Sequence, residues 1–168
     1  MNMTTGIKDQ IDSIYAMLKN LPADETELYP AVPYEYIKQF EERFNVELPS
    51  DYKYLLSLSN GFWYSGYEVL GISFDSKDTR CDLTNTYNFE HYESGNPMYP
   101  YMVPFYSDGF GNFACFDTSK IDKNGSCPII FWEHDVEYNE TCEPEIINNS
   151  FLEFVLEIFI DEERDCTE

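Results

Sequence analysis

The chain has 168 residues, 43% of them hydrophobic, and its 32 acidic against 10 basic side chains give a formal net charge of −22. This length suits one domain, and the apolar share is enough for a sizeable core. A strongly acidic chain repels nucleic-acid phosphates and anionic membrane surfaces, whereas it steers a basic partner towards itself. The charge therefore predicts a basic protein partner and no nucleic-acid or membrane binding, with solubility as the alternative reason for the acidity.

The N-terminus and the cysteines both predict a cytoplasmic protein. Residues 1–20 are amphipathic and lack the continuous apolar run of a secretory signal. No stretch reaches the roughly 20 apolar residues that are needed to cross a bilayer. The 5 cysteines are odd in number and never form a C-x-x-C pair, which is unlike a disulfide framework, so we expect free thiols.

Three helices are predicted in the first third of the chain. Apolar residues spaced by three and four predict helices over 5–19 and 33–44. The residues between them, 21–32, contain two prolines and are predicted to be a surface connector. The third helix is predicted to begin at Ser50, as its N-cap, and to stop at Asn60-Gly61.

From Phe62 onwards the sequence turns aromatic and β-branched, which predicts one or two strands with a hairpin around Ser65-Gly66. Residues 75–100 are polar and irregular, with a short helix predicted at 83–92. Two further strands, 102–107 and 112–117, flank the glycine-rich turn Asp108-Gly109-Phe110-Gly111.

One more strand and a helix complete the predicted order of elements. The strand covers 128–132, and Asn149-Ser150 caps a helix that precedes a charged tail at 161–168. Helices followed by a run of strands and a closing helix predict an α+β domain. Its sheet is expected to be mainly antiparallel, with the N-terminal and C-terminal helices packed on one face.

No motif in the chain nominates a catalytic, cofactor-binding or metal-binding residue. Gly109-x-Gly111-x-x-Ala114 has the spacing of a dinucleotide-binding loop, but it opens a strand where that chemistry needs a helix. His134 and Asp135 are adjacent on an extended segment and point to opposite faces, so they form no pair. Acidic residues are too abundant to single out a hydrolytic pair. We therefore predict no enzyme, no cofactor and no metal.

An acidic tract near the C-terminus is the candidate protein interface. It contains Glu133, Asp135, Glu137, Glu140, Glu143 and Glu145, with Trp132 before it and Tyr138 within it, and it has no Lys or Arg. Exposed aromatics can anchor a basic protein surface that acidic residues steer into place. The alternative is a solvated loop. Rival interface candidates are Phe62-Trp63-Tyr64 and the stretch 85–101.

One block of residues resembles the signature of the SUKH superfamily: Ile37-x-x-Phe40-Glu41-x-x-Phe44-x-Val46-x-Leu48-Pro49-x-Asp51-Tyr52-x-x-Leu55-Leu56, closing on Asn60-Gly61. Later blocks match in order, namely Asp108-Gly109-x-Gly111-Asn112, the strand from Pro128 to Trp132, and Ser150-Phe151-x-x-Phe154. The resemblance covers about 37–159, with an extra N-terminal helix at 1–20. Phe62-Trp63 and the long stretch 75–100 depart from the pattern.

The resemblance implies an α+β fold with no known catalytic centre. The superfamily takes in the yeast Smi/Knr cell-wall regulators and many bacterial immunity proteins that bind and neutralise polymorphic toxins. The matched residues, from Glu41 and Tyr52 to Gly109 and Gly111, are expected to be scaffold. Together with the acidic charge, the resemblance predicts an immunity protein that neutralises a basic, nuclease-type toxin. The alternative that it leaves open is a regulatory scaffold in cell-wall or glucan synthesis.

Overall fold

Seven strands form one open antiparallel sheet in which every strand lies beside its neighbours in the chain. The computed structural model describes residues 3–73 and 82–165, with side chains as far as residue 159. The prediction of an α+β fold with a mainly antiparallel sheet is confirmed. The strands are Thr26–Leu28 (β1), Phe62–Tyr64 (β2), Tyr67–Val69 (β3), Met102–Ser107 (β4), Phe113–Asp117 (β5), Ile129–Trp132 (β6) and Glu145–Asn148 (β7).

The helices occupy the predicted parts of the chain. Phe89–Glu93 is a π-helical turn that continues α4, and Thr118–Lys120 is a single 3₁₀ turn. The α-helices are Thr5–Asn20 (α1), Tyr34–Phe44 (α2), Ser50–Leu58 (α3), Leu83–Asn88 (α4) and Phe151–Asp165 (α5).

Three local predictions are wrong. Residues 21–32 are not only a connector, because β1 lies there and pairs with β2. A strand of three residues is too short to show a period in the sequence. Ser50 is the first residue of α3 and not its cap, and its N–H donates to the carbonyl of Gly125 at 2.7 Å. The backbone of 161–165, predicted as tail, continues α5.

The main core lies between one face of the sheet and the helices. Tyr52 of α3 is at its centre, fully buried, and its ring lies 4.9 Å from that of Phe116 and 5.2 Å from that of Phe151. Burial raises the pKa of the Tyr52 hydroxyl above its ordinary value, so the hydroxyl stays protonated and donates to the Leu70 carbonyl at 2.6 Å. The expected helical layer on one face is present.

A largely buried ion pair joins α2 to α3. Glu41 Oε1 accepts from the Leu48 N–H at 2.8 Å and from Lys53 Nζ at 2.9 Å. Pro49 then precedes the first turn of α3, where the missing N–H of a proline costs nothing. The Glu41, Leu48 and Pro49 block of the sequence is therefore the joint that sets the angle between two helices.

Asn60 and Gly61 attach the end of α3 to the chain after β3. The Asn60 side chain donates to the Ile72 carbonyl at 2.9 Å and accepts from the Ile72 N–H at 2.7 Å. Gly61 has a φ of +77°, and a Cβ there would overlap the Val69 carbonyl oxygen. Only glycine fits this close approach of two backbones, which explains the motif residue.

The second face of the sheet carries a smaller apolar cluster that no helix of the main layer covers. Residues 98–101, which follow the π-helical turn, pack on it together with Tyr138. Tyr99 and Tyr101 stack with ring centroids 5.8 Å apart. The buried members of this second cluster are Met98, Met102, Phe113, Cys115, Ile130 and Trp132.

Candidate protein-binding surface

The acidic tract forms an ordered connection between β6 and β7, here called the acidic arm (residues 133–144). All of its carboxylate side chains are exposed, and so is Glu145 at the start of β7. Carboxylates at the surface can meet a basic partner. The acidic residues of the arm are Glu133, Asp135, Glu137, Glu140 and Glu143.

The arm is fastened to the second cluster through Tyr138. Its ring lies over that of Trp132 with centroids 4.7 Å apart, and its hydroxyl accepts from the Glu133 N–H at 3.2 Å. Its carbonyl accepts from the Tyr99 hydroxyl at 2.9 Å. Burial raises the pKa of Tyr138. The predicted interface tyrosine is therefore half-buried and holds the arm in place.

Trp132, the other aromatic predicted at this interface, is 2% exposed and belongs to the second cluster. An anchor that inserts into a partner must be accessible. Trp132 therefore supports the arm from beneath and contributes no contact surface. Its Nε1–H finds no hydrogen-bond partner among the described residues.

The hairpin between β4 and β5 supports the arm from the side. Asp108 organises the turn, because its Oδ1 accepts from the N–H groups of Phe110 at 2.8 Å and Asn112 at 3.1 Å. Asn112 Oδ1 in turn accepts from the His134 N–H at 3.2 Å. Gly111 has a φ of +96°, and a Cβ there would lie 3.1 Å from the His134 ring. The motif residues Asp108 and Gly111 thus position the arm.

The rival candidate stretch 85–101 lies beside the arm and forms one surface with it. Asn96 Nδ2 donates to the carbonyls of His134 at 3.2 Å and Val136 at 2.9 Å. The same stretch exposes Phe89 and Tyr92 to solvent. Two of the sequence-predicted candidates are therefore parts of a single surface.

Phe110 at the hairpin tip is, at 82%, the most exposed large apolar side chain among the residues that the structure describes. Sequence reasoning named the turn but overlooked this aromatic. The signal was present, since a residue between Gly109 and Gly111 at a turn cannot reach the core. Aromatic side chains that stand out of an acidic surface are suited to anchor a partner.

Few basic side chains lie in the half of the sequence that contains the arm. Lys120 and Lys123 are the only basic residues between Arg80 and Arg164 in the sequence. The ammonium of Lys120 already pairs with the buried Asp117 carboxylate at 2.8 Å. Among the described residues, the negative charge of the arm is therefore only slightly offset, by the interaction of Lys120 with Glu143.

The remaining candidate, Phe62-Trp63-Tyr64, is strand β2 and lies away from the arm. Phe62 is fully buried in the main core, and the Tyr64 ring packs 4.8 Å from that of Phe159. Four strand spacings separate β2 from β6, which is about 19 Å across the sheet. The structure does not join this segment to the acidic arm.

The described residues contain no group of three or more His, Cys, Asp or Glu side chains that could hold a metal ion. Burial raises the pKa of the Cys115 and Cys127 thiols, so both are protonated and poor nucleophiles at neutral pH. Asp51 and Asp117 are buried and bonded to protein groups. Their carboxylates have structural roles.

Within the described part of the chain, every helix is too short or too polar to cross a bilayer. The sequence model of the SMI1 / KNR4 family (SUKH-1) matches residues 32–157. This match confirms the resemblance that the sequence blocks predicted over about 37–159, and it includes the arm, the hairpin tip and the edge strand β7.

Proposed function

Because the chain belongs to the SMI1/KNR4 (SUKH-1) family, which includes immunity proteins, we propose that it is an immunity protein without catalytic activity. Its partner is a basic, nuclease-type toxin of the same cell. The observation that supports this most directly is the ordered acidic arm, whose five exposed carboxylates lie in a segment without Lys or Arg.

The charge of the arm suggests how it would neutralise a nuclease. A nuclease binds phosphates through a basic face, and an acidic surface competes for the same face. The net charge of −22 raises the rate of encounter with such a partner. Phe89, Tyr92 and Phe110 supply exposed apolar contacts around the arm. Charge steers the toxin, and the aromatics hold it.

The cytoplasm is the compartment in which this function is needed, because a nuclease toxin acts on intracellular nucleic acid. Cys115, Cys127 and Cys142 are free, and Cys142 is exposed. Thiols of this kind persist in a reducing compartment.

The test uses the toxin domain encoded beside this gene. The arm variant is Asp135→Asn/Glu137→Gln/Glu140→Gln, and the control variant is Asp24→Asn/Glu25→Gln/Glu27→Gln at the β1 end. Both remove three exposed acidic side chains, so they change the net charge equally. We expect the wild type and the control variant to restore growth to cells that express the toxin. The arm variant should bind the toxin domain at least about tenfold more weakly than the wild type does.

Salt provides the second readout. Affinity for the toxin domain should fall as sodium chloride rises, and it should fall less steeply for the arm variant. No binding of the toxin domain, or equal losses in the arm and control variants, would remove the basis of the proposal. Several weak partners without neutralisation would instead favour the regulatory scaffold.

A further inference from the structure

Strand β7 is an edge of the sheet with apolar side chains on it. It is last in the strand order and pairs with β6 on one side, while its other side faces no strand among the described residues. Ile146 is 52% exposed and Ile147 is 38% exposed. The outer backbone groups of an edge strand can pair with an added strand.

The register of β7 against β6 is interrupted at the two isoleucines of the edge. Ile146 lies opposite Ile130, a residue of the second cluster, so its side chain is on the second face. Glu145 and Asn148 lie opposite Phe131 and Ile129, and Ile147 between them has no partner in the register. Ile147 is therefore the extra residue of a bulge.

An open groove of about 520 Å³ runs along β7 on the helical face. Its wall includes the aromatic rings of Tyr106 and Phe154, whose centroids are 5.3 Å apart. Ile147 lines the groove from the edge strand, and Ile158 lines it from α5. A side chain of an added strand would have an apolar site beside the backbone that it pairs with.

Charge decides which strand fits. Glu145 and Glu157 border the groove, and Glu157 Oε2 accepts from Asn148 Nδ2 at 2.6 Å. The acidic arm leads directly into β7. A second copy of this chain would bring the same acids, and its net charge of −22, against them. A lysine- or arginine-rich strand would instead meet opposite charge at Glu145, at Glu157 and along the acidic arm.

We propose that the outer edge of β7 receives an extended, basic segment of a partner protein as an eighth strand, with an apolar side chain of that segment in the groove. The bulge at Ile147 and the carboxylate of Glu145 oppose pairing with unselected strands. This inference rests on the proposed function only in that the partner is a protein with a basic surface.

The test uses a synthetic peptide of about nine residues, a typical strand length, in which valine alternates with lysine. A matched peptide carries glutamate in place of lysine. We expect the lysine peptide to bind the full chain with a Kd of about 100 µM, and the glutamate peptide at least tenfold more weakly. Hydrogen exchange of the Glu145–Asn148 amides should slow only when the lysine peptide is bound.

Two variants locate the binding. Ile146→Thr/Ile147→Thr keeps the β-branched side chains of the edge but removes apolar surface, and it should weaken the lysine peptide about tenfold. Met17→Gln, at a side chain of α1 that is 41% exposed, is the matched control and should leave binding unchanged. Comparison of the circular dichroism spectra of the variants checks that both fold.

Several outcomes would overturn the inference. One is failure of the lysine peptide to bind at concentrations up to about 1 mM, and another is equal binding of both peptides. A third is hydrogen exchange that slows only at amides outside β7. A fourth is a dimer of the free chain that protects the β7 amides. Toxin neutralisation that survives Ile146→Thr/Ile147→Thr would refute the strand addition and leave the proposed function standing. If the peptide protects the β7 amides but the chain neutralises no toxin, the strand addition would stand and the proposed function would be refuted.

Discussion

Asp51 is the residue at which the N-termini of two helices meet. Its carboxylate is buried in the first turn of α3, where Oδ1 accepts from the Tyr52 N–H at 3.0 Å. Its Oδ2 accepts from the Leu152 N–H in the first turn of α5 at 3.2 Å. Loss of solvent around Asp51 is the main reason why its pKa rises from the ordinary value of 3.8 to about 6, although the backbone N–H donors oppose the rise.

A raised carboxylate pKa in the folded state gives a defined dependence of stability on pH. Above about pH 6 the folded chain holds an ionised carboxylate that burial disfavours, and this cost is relieved as the pH falls through 6 towards 3.8. Relative to Asp51→Asn, the wild type should therefore gain about 1.5 kcal/mol between about pH 8 and about pH 5. Urea unfolding of both proteins at the two pH values measures the change.

The wild type and the asparagine variant share all the other acidic residues. The titration of those residues therefore cancels when the free energies of unfolding of the two proteins are subtracted. A difference between the two free energies of unfolding that stays constant across this pH range would show that Asp51 is ionised as easily in the folded state as in the unfolded chain. That result would contradict the role of burial.

At the scale of elements, the joint between α2 and α3 shows how burial changes the contribution of an ion pair to stability. Lys53 is 8% exposed, and Glu41 is its partner and the acceptor for the Leu48 N–H. On the outer face of α2, Glu42 pairs with Lys38 at 3.4 Å in solvent. Neighbouring glutamates of one helix thus form a largely buried and an exposed ion pair.

Removal of the two glutamates should have very different effects on stability. Glu41→Ala leaves a buried ammonium and a backbone N–H without partners, and we expect it to lower the free energy of unfolding by about 3 kcal/mol. Glu42→Ala removes an exposed pair and should cost less than about 0.5 kcal/mol. Chemical denaturation of both variants measures the difference. Equal losses would mean that the buried pair has no special role at the joint.

Charge acts at the scale of the whole molecule, where it has opposite consequences for folding and for binding. A chain of net charge −22 repels itself most strongly when it is compact. Salt at about 0.5 M shortens the screening length to about 4 Å and weakens this repulsion. The same screening weakens the attraction to a basic partner.

The unfolding temperature should therefore rise by about 3–5 °C when sodium chloride is raised to about 0.5 M. Scanning calorimetry of the free chain measures it, and potassium chloride at the same ionic strength should give the same rise. A temperature independent of salt, or a rise with only one of the two salts, would contradict self-repulsion as the cause.

The predictions that succeeded rest on patterns that many residues share. Ile11, Ile14 and Leu18 recur at helical spacing, and all three are buried on one side of α1. The turn predicted at Ser65-Gly66 is also present, with a positive φ at both residues as a tight hairpin turn requires, which glycine adopts readily and serine seldom does. The strands that were not predicted from the sequence are short. Neither β1 nor β7 is long enough to show a period, and each is a strand only because its neighbour in the sheet pairs with it.

The sequence by itself determined the order of the main helices and strands, the family and the excess of acid, because these follow from local spacing, motif residues and composition. The tertiary structure alone decided which predicted interface residues reach solvent. Trp132 and Phe62 are buried because strand pairing turns them towards the two clusters, whereas Phe110, Ile146 and Ile147 are exposed at a turn and an edge. The exposure of residues in strands depends on contacts between distant parts of the chain, and no local pattern records them. Phe110 is the exception, because the glycines on either side of it already indicate an exposed turn.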